Sequence, residues 1–78
     1  MIRLFTRAGV TFLIIEQTRE GFFLHTLPKD GFAGDKWHQT LEDAKHQATY
    51  EFGDSVERWE EVPAHVSDLR AFAQENSN

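Results

Sequence analysis

Hydrophobic positions in the first half of the chain follow a pattern that is typical of β-strands. In Val10–Gln17 (VTFLIIEQ), apolar and β-branched residues fall on both sides of an extended chain, which favours a central strand covered on both faces. A short polar turn that ends at Gly21 follows, and then comes a second apolar run, Phe22–Leu27. Because the connection is so short, we expect these two strands to pair in antiparallel orientation.

Three further segments have weaker strand patterns. A turn at Pro28–Gly31, in which Asp precedes Gly, leads to a short predicted strand at Phe32–Trp37. The alternation in Met1–Arg7 allows an additional strand at the N-terminus. Ser55–Val62 mixes apolar and charged residues on both sides, which predicts an edge strand that ends at Pro63.

The clearest helical signal begins after Thr40. A Thr at this position is a good N-cap, and the two acidic residues that follow lie near the positive end of the helix dipole. An apolar stripe with two alanines continues at helical spacing, and Gly53 is suited to end the helix in a left-handed conformation. The spacing therefore predicts a helix over Leu41–Phe52 that packs closely on a sheet.

A second apolar stripe near the C-terminus predicts a short helix that starts at Pro63 or Ser67. Residues 74–78 are polar, and we expect them to fray. The order of elements is β-β-β-α-β followed by the short helix. It predicts one α+β domain over residues 1–78, with two layers: a mainly antiparallel sheet and one helix packed on it.

Composition narrows the function classes. The chain has 78 residues and no cysteine, which excludes a disulfide scaffold, a thiolate zinc site and a cysteine nucleophile. The apolar run Ala8–Ile15 after Arg3 and Arg7 is too short for a membrane span and is followed by Glu16 rather than by small residues. We therefore expect a cytoplasmic protein without a membrane partner.

The charge is distributed unevenly along the chain. The net charge is -5, and residues 40–78 contribute -6 through three basic and nine acidic residues. An acidic chain of this kind is not typical of nucleic-acid binding, and its field favours a basic protein partner. The predicted interaction face consists of the exposed acidic residues of the last strand and the tryptophan between them: Glu57, Trp59, Glu60 and Glu61. Each of Trp37 and Trp59 is either a core anchor or an exposed interface residue, and in so small a domain we expect the core.

The remaining candidates for a functional site are histidines. His38, Glu42 and His46 follow one another at intervals of four residues, and one face of a helix with this spacing can place histidine and carboxylate ligands around a metal ion. The pattern differs from the zinc-protease motif, and a solvated helix face with a Glu42–His46 pair explains it equally well. His25, in the middle of a strand, is either a general base or a half-buried residue with one hydrogen bond.

No catalytic constellation is recognisable. The serines lie on no glycine-flanked nucleophile elbow, and Gly31–Gly34 lacks the length and the Lys-Ser/Thr ending of a phosphate-binding loop. Glu60 and Glu61 are neighbours in a strand, so their side chains point to opposite faces and cannot act together. We expect a protein that is not an enzyme and has no cofactor.

The stretch Gly34–Gly53 (GDKWHQTLEDAKHQATYEFG), together with Trp59–Pro63 (WEEVP), resembles a group of small uncharacterised bacterial proteins. They share a GDxWHxTLEDAxxQAxxEFG signature, and the resemblance carries no known activity. The passage from Gly31–Asp35 into Thr40–Ala44 is also similar to the antitoxin domains called HicB, whose partial ribonuclease-H-like fold combines strands and a helix. The catalytic acidic residues of ribonuclease H are not recognisable in this chain.

Three functional hypotheses follow from these observations. The first is a non-enzymatic protein-interaction module, which can also self-associate as a homodimer through a sheet face or edge. The second is an acidic inhibitor, similar to an antitoxin or immunity protein, that covers the basic cleft of a nuclease. The third is a metal-binding protein that uses His38, Glu42 and His46.

Overall fold

The computed structural model describes residues 1–29 and 33–76. The last two residues of the predicted Pro28–Gly31 turn, and Phe32 at the start of the predicted third strand, lie outside the described residues. Within the described residues there are five strands and two helices, in the order β1 (Arg3–Ala8), β2 (Thr11–Thr18), β3 (Gly21–Leu27), β4 (Gly34–His38), α1 (Leu41–Phe52), β5 (Glu60–Glu61) and α2 (Leu69–Asn76). A 3₁₀ turn, Gly53–Ser55, follows α1.

The five strands form one antiparallel sheet in the order β4-β3-β2-β1-β5. The predicted α+β class is confirmed, and so is the additional N-terminal strand, which pairs with β2 along its whole length. β2 lies in the middle of the sheet, as its apolar pattern predicted. The tight turns on either side of β2 set the register of β1, β2 and β3.

The sheet is covered on both faces, because alternate residues of β2 face different cores. Leu13 and Ile15 face α1, and Phe12 and Ile14 face α2. All four are at most 2% exposed. Burying an aliphatic or aromatic side chain of this size contributes about 1.5–3 kcal/mol, so this strand provides much of the stability of the domain.

Local signals fix α1 at its predicted bounds. The Thr40 hydroxyl accepts a hydrogen bond from the backbone N–H of Asp43 at 3.1 Å, and Gly53 has a φ of 58° at the C-terminal end. Ala44 and Ala48 are fully buried, so the small side chains bring the helix close to the sheet.

The second helix begins at a residue that the sequence analysis did not select. Asp68, rather than Pro63 or Ser67, caps α2, since its carboxylate accepts from the backbone N–H of Ala71 at 3.1 Å. The preceding segment is fixed to β1 by Arg3, whose guanidinium donates to the carbonyls of Val66 and Pro63 at 2.6 and 3.0 Å. This attachment directs the chain to the face opposite α1. α2 continues through Asn76, and residues 77 and 78 lie outside the described part.

The segment after α1 is less regular than the predicted strand Ser55–Val62. Val56 forms an isolated bridge with Ala8, and the pairing with β1 resumes only at Glu60 and Glu61. Between them, the buried Thr6 hydroxyl donates to the carbonyl of Arg58 at 3.0 Å, which holds the segment against the sheet without strand pairing. The predicted strand is therefore shortened to β5.

Candidate functional site

The two faces of the sheet are covered to different extents. On the side of α2, the helix and its aromatic residues pack over β1 and β2, where Phe72 meets Phe5 and Phe12 at centroid distances of 5.0 and 6.1 Å. The same side of β3, β4 and the adjoining end of β2 carries a group of half-buried and exposed side chains. We call this group the β3–β4 face; it consists of Glu16, Phe23, His25, Asp35 and Trp37.

Strand register brings the β3–β4 face together. His25 pairs with Asp35 across β3 and β4, and Phe23 pairs with Trp37 two residues away, so all four side chains share one side of the sheet. On the other side of β3, Glu16 of β2 pairs with Phe23. Polar and aromatic side chains from three strands therefore lie near one another on this side of the sheet.

His25 lies between two carboxylates. Its Nδ1 is 2.6 Å from Asp35 Oδ1, and its Nε2 is 3.2 Å from Glu16 Oε1. Both ring nitrogens of His25 therefore have a carboxylate oxygen within hydrogen-bond distance. The arrangement leaves neither nitrogen available as a base, and His25 holds the two acidic side chains in place.

Trp37 is the more exposed of the two aromatic residues of the β3–β4 face. Trp37 is 53% exposed, so the expectation that it is a core residue is wrong. Its indole N–H donates to the carbonyl of Glu20 at 2.9 Å, which fixes the ring over the turn between β2 and β3. Phe23 stacks on His25 with a centroid distance of 6.4 Å and an interplanar angle of 16°.

The acidic residues that the sequence analysis proposed as an interaction face are exposed but are not on one surface. Glu60 pairs with Phe5 and Glu61 with Leu4, so the two side chains lie on opposite faces of the sheet edge. Glu57 is exposed in the irregular segment before them. Trp59 is half-buried and packs against the core beneath α1, which agrees with the expectation that it anchors the core.

The proposed metal ligands are only partly brought together. His38 and His46 line a shallow depression beside Tyr50, and Glu42 lies outside it. Among residues 1–29 and 33–76, no group of three or more His, Asp or Glu side chains is placed to hold a metal ion. His38 Nδ1 is buried and has no hydrogen-bond partner within this part of the chain.

Sequence reasoning identified His25 but missed its partners. The alternation in β2 and the short turn after it were sufficient to place Glu16 opposite Phe23, two residues from His25. The positions of Asp35 and Trp37 depend on the register between β3 and β4, which a longer connection leaves open.

Comparisons with family models, with curated proteins and with solved structures gave no significant match. In the described part of the chain, no helix is long and apolar enough to cross a membrane. The resemblance to the small bacterial proteins and to HicB domains stays a prediction.

Proposed function

We propose that this chain is a small protein-interaction module that binds a basic segment of a partner protein on the β3–β4 face. The observation that carries the proposal is the exposed ring of Trp37 on the same side of the sheet as the carboxylates of Asp35 and Glu16. An indole face attracts a lysine or arginine side chain through a cation–π interaction, and the carboxylates attract the same cation. Large exposed aromatic residues are also frequent anchors of protein interfaces.

The position of β4 in the sheet supports the same proposal. β4 is the end of the described sheet and pairs only with β3, so its outer edge presents unpaired backbone N–H and C=O groups. An extended peptide can add to such an edge as a further strand. Its alternate side chains then lie over the β3–β4 face, where Asp35 is 64% exposed at its side chain.

The overall charge favours the encounter. A chain with a net charge of -5 attracts a basic partner over a distance of about one Debye length, and the rate of association then falls as salt is added. The inhibitor hypothesis is the narrower form of this proposal, in which the basic partner is a nuclease.

A fluorescence titration tests the proposal. In a Trp59→Phe background Trp37 is the sole tryptophan, and lysine- and arginine-rich peptides of about ten residues serve as the probe. We expect a saturable change of Trp37 emission that weakens as salt is raised. Asp35→Asn weakens binding, and Glu60→Gln, which makes the same change of charge on the other edge strand, leaves it unchanged.

Two results would overturn the proposal. One is the absence of saturable binding at low salt. The other is equal weakening by Asp35→Asn and Glu60→Gln, because that result assigns the effect to net charge rather than to the β3–β4 face. Sedimentation of the chain without peptide tests for self-association. If the chain forms a dimer that Asp35→Asn disrupts, the β3–β4 face binds a second copy of the chain instead of a basic partner.

A further inference from the structure

A cavity of about 510 Å³ lies at the end of the sheet where the turn between β1 and β2, the end of β3 and helix α2 meet. Its volume falls within the range of about 300–1,000 Å³ that is typical of small-molecule sites. It includes none of the residues of the β3–β4 face. Its lining includes Arg7, Phe12, Leu27, Lys29, Arg70 and Ala73.

The inner wall of the cavity is apolar. Phe12 and Leu27 are direct cross-strand partners on β2 and β3, and they lie on the side of the sheet that α2 covers. Phe12 is 2% exposed and Ala73 is 5% exposed. The small side chain of Ala73 leaves space between helix and sheet that a longer side chain would fill.

The rim of the cavity is basic. Arg7 comes from β1, Lys29 follows β3, and Arg70 lies one helical turn before Ala73 on α2. Three of the eight basic residues of an acidic chain therefore converge on one opening. No acidic side chain among the described residues lines the cavity.

Among the described residues, these three cations lack a salt bridge, as do Arg19, Lys45 and Arg58, whereas two other cations have partners. Lys36 forms a salt bridge with Glu51, and Arg3 donates to backbone carbonyls. Like charges around one opening repel each other, and a bound anion relieves this repulsion.

We propose that the cavity binds a small amphipathic anion, which consists of an apolar body and a single carboxylate or phosphate head group. The body lies against Phe12, Leu27 and Ala73, and the head group contacts the basic rim. Arginine binds either head group through two parallel N–H donors, so the rim suits both. The apolar wall distinguishes the site from a simple binding site for inorganic anions.

Titrations of the ¹⁵N-labelled chain test this inference, with octanoate and octyl phosphate as probes below the concentrations at which they form micelles. We expect saturable shifts of the amide signals of Val10, Leu27 and Ala73. Octanamide, which has the same chain and no charge, should bind more weakly by about tenfold or more, because it lacks charge-assisted hydrogen bonds. The stronger of the two anionic probes identifies the preferred head group.

A matched pair of variants locates the site. Arg70→Gln removes a rim cation from the exposed side of a helix, and we expect it to weaken octanoate binding by about fivefold or more. Arg19→Gln makes the same change in the turn between β2 and β3, at the opposite end of the sheet, and should leave the affinity unchanged. Thermal melting of both variants confirms that they fold.

The inference is overturned if neither anionic probe binds saturably, or if octanamide binds as tightly as octanoate. It is also overturned if Arg70→Gln and Arg19→Gln have the same effect on affinity. Because Arg70 is not part of the β3–β4 face, the peptide titration of Trp37 and this titration can fail independently.

Discussion

Gly21 determines where the Trp37 side chain can lie. Its φ is +143°, a conformation that residues with a side chain rarely adopt. A Cβ atom at this position would lie 2.5 Å from Trp37 Nε1 and 2.8 Å from the carbonyl oxygen of His38. The absence of a side chain therefore allows the indole to approach the turn and donate to Glu20.

We expect Gly21→Ala to destabilise the domain by about 1–3 kcal/mol, since it combines an unfavourable φ with a steric clash. The substitution should also displace the indole and shift its fluorescence emission. Urea denaturation and tryptophan emission measure the two effects. Gly34→Ala is the control, because a Cβ there has no heavy atom within 4 Å. Equal stabilities of the two variants would contradict this account of Gly21.

At the scale of single residues, the sequence was informative about local conformation and less so about neighbours across strands. It placed Gly21 in a turn that favours a positive φ and Thr40 at the start of a helix, because both features depend on adjacent residues. It did not place Trp37 on the surface or Asp35 beside His25. Both depend on a strand register that the intervening segment does not encode in a recognisable motif.

Elements α1 and β4 are joined by one ion pair that gives the fold a dependence on pH. Lys36 Nζ on β4 lies 3.1 Å from Glu51 Oε2 on α1, and Gln47 donates to the same oxygen at 2.7 Å. The hydrogen bond from Gln47 lowers the pKa of Glu51 below its ordinary value of 4.5, and the contact with Lys36 lowers it further. Partial burial of the carboxylate opposes this shift.

Because the pKa of Glu51 is lower in the folded chain, its carboxylate stabilises the fold above the pKa of the unfolded chain. This contribution is lost as the pH falls through the lower, folded-state pKa. We expect Glu51→Gln to reduce the free energy of unfolding by about 0.2–1 kcal/mol at pH 7, the usual range for an exposed pair. The difference from the unmodified chain should shrink as the pH falls through this lowered pKa.

Urea denaturation of both chains at pH 7 and at pH 3 measures this difference. Glu42→Gln on the exposed first turn of α1 provides the control for a change of charge on the same helix. A Glu51→Gln effect that persists unchanged at pH 3 would show that the ion pair is not its cause.

At the scale of elements, the predictions were most accurate where one segment carries its own signals. The bounds of α1 agree with the sequence analysis, because a cap, an apolar stripe and a terminal glycine all coincide there. β5 was predicted too long, since its extent depends on where β1 offers pairing partners and where Thr6 holds the chain instead. The start of α2 depends on whether Ser67 or Asp68 reaches the backbone of the first turn, and both residue types are suitable caps.

The whole molecule depends on two separate cores, one on each face of the sheet. The core under α1 contains the two buried alanines of α1, Ala8 of β1 and aliphatic residues of β2 and β3. The core under α2 is smaller and more aromatic, with Phe5, Phe12 and Phe72 in mutual contact. Since both faces of β2 are apolar, neither helix alone protects the strand from water. The sequence predicted that β2 is buried on both faces, but it did not predict which element covers the second face.

Phe72 is the residue of α2 that contacts both aromatic rings of the sheet, so Phe72→Ala tests whether this second core supports the fold. A fully buried Phe→Ala change costs about 3–5 kcal/mol, and for the half-buried Phe72 we expect about 2–3 kcal/mol. A domain of this size has a net stability of only about 3–5 kcal/mol, so the variant should be largely unfolded in mild urea and bind hydrophobic dyes. Tyr50→Ala is the matched control, because Tyr50 is 86% exposed on α1 and its removal should change the free energy of unfolding by less than about 0.5 kcal/mol. If the two variants are equally stable in urea, α2 does not contribute to the folded core, and the cavity between α2 and the sheet loses its wall as well.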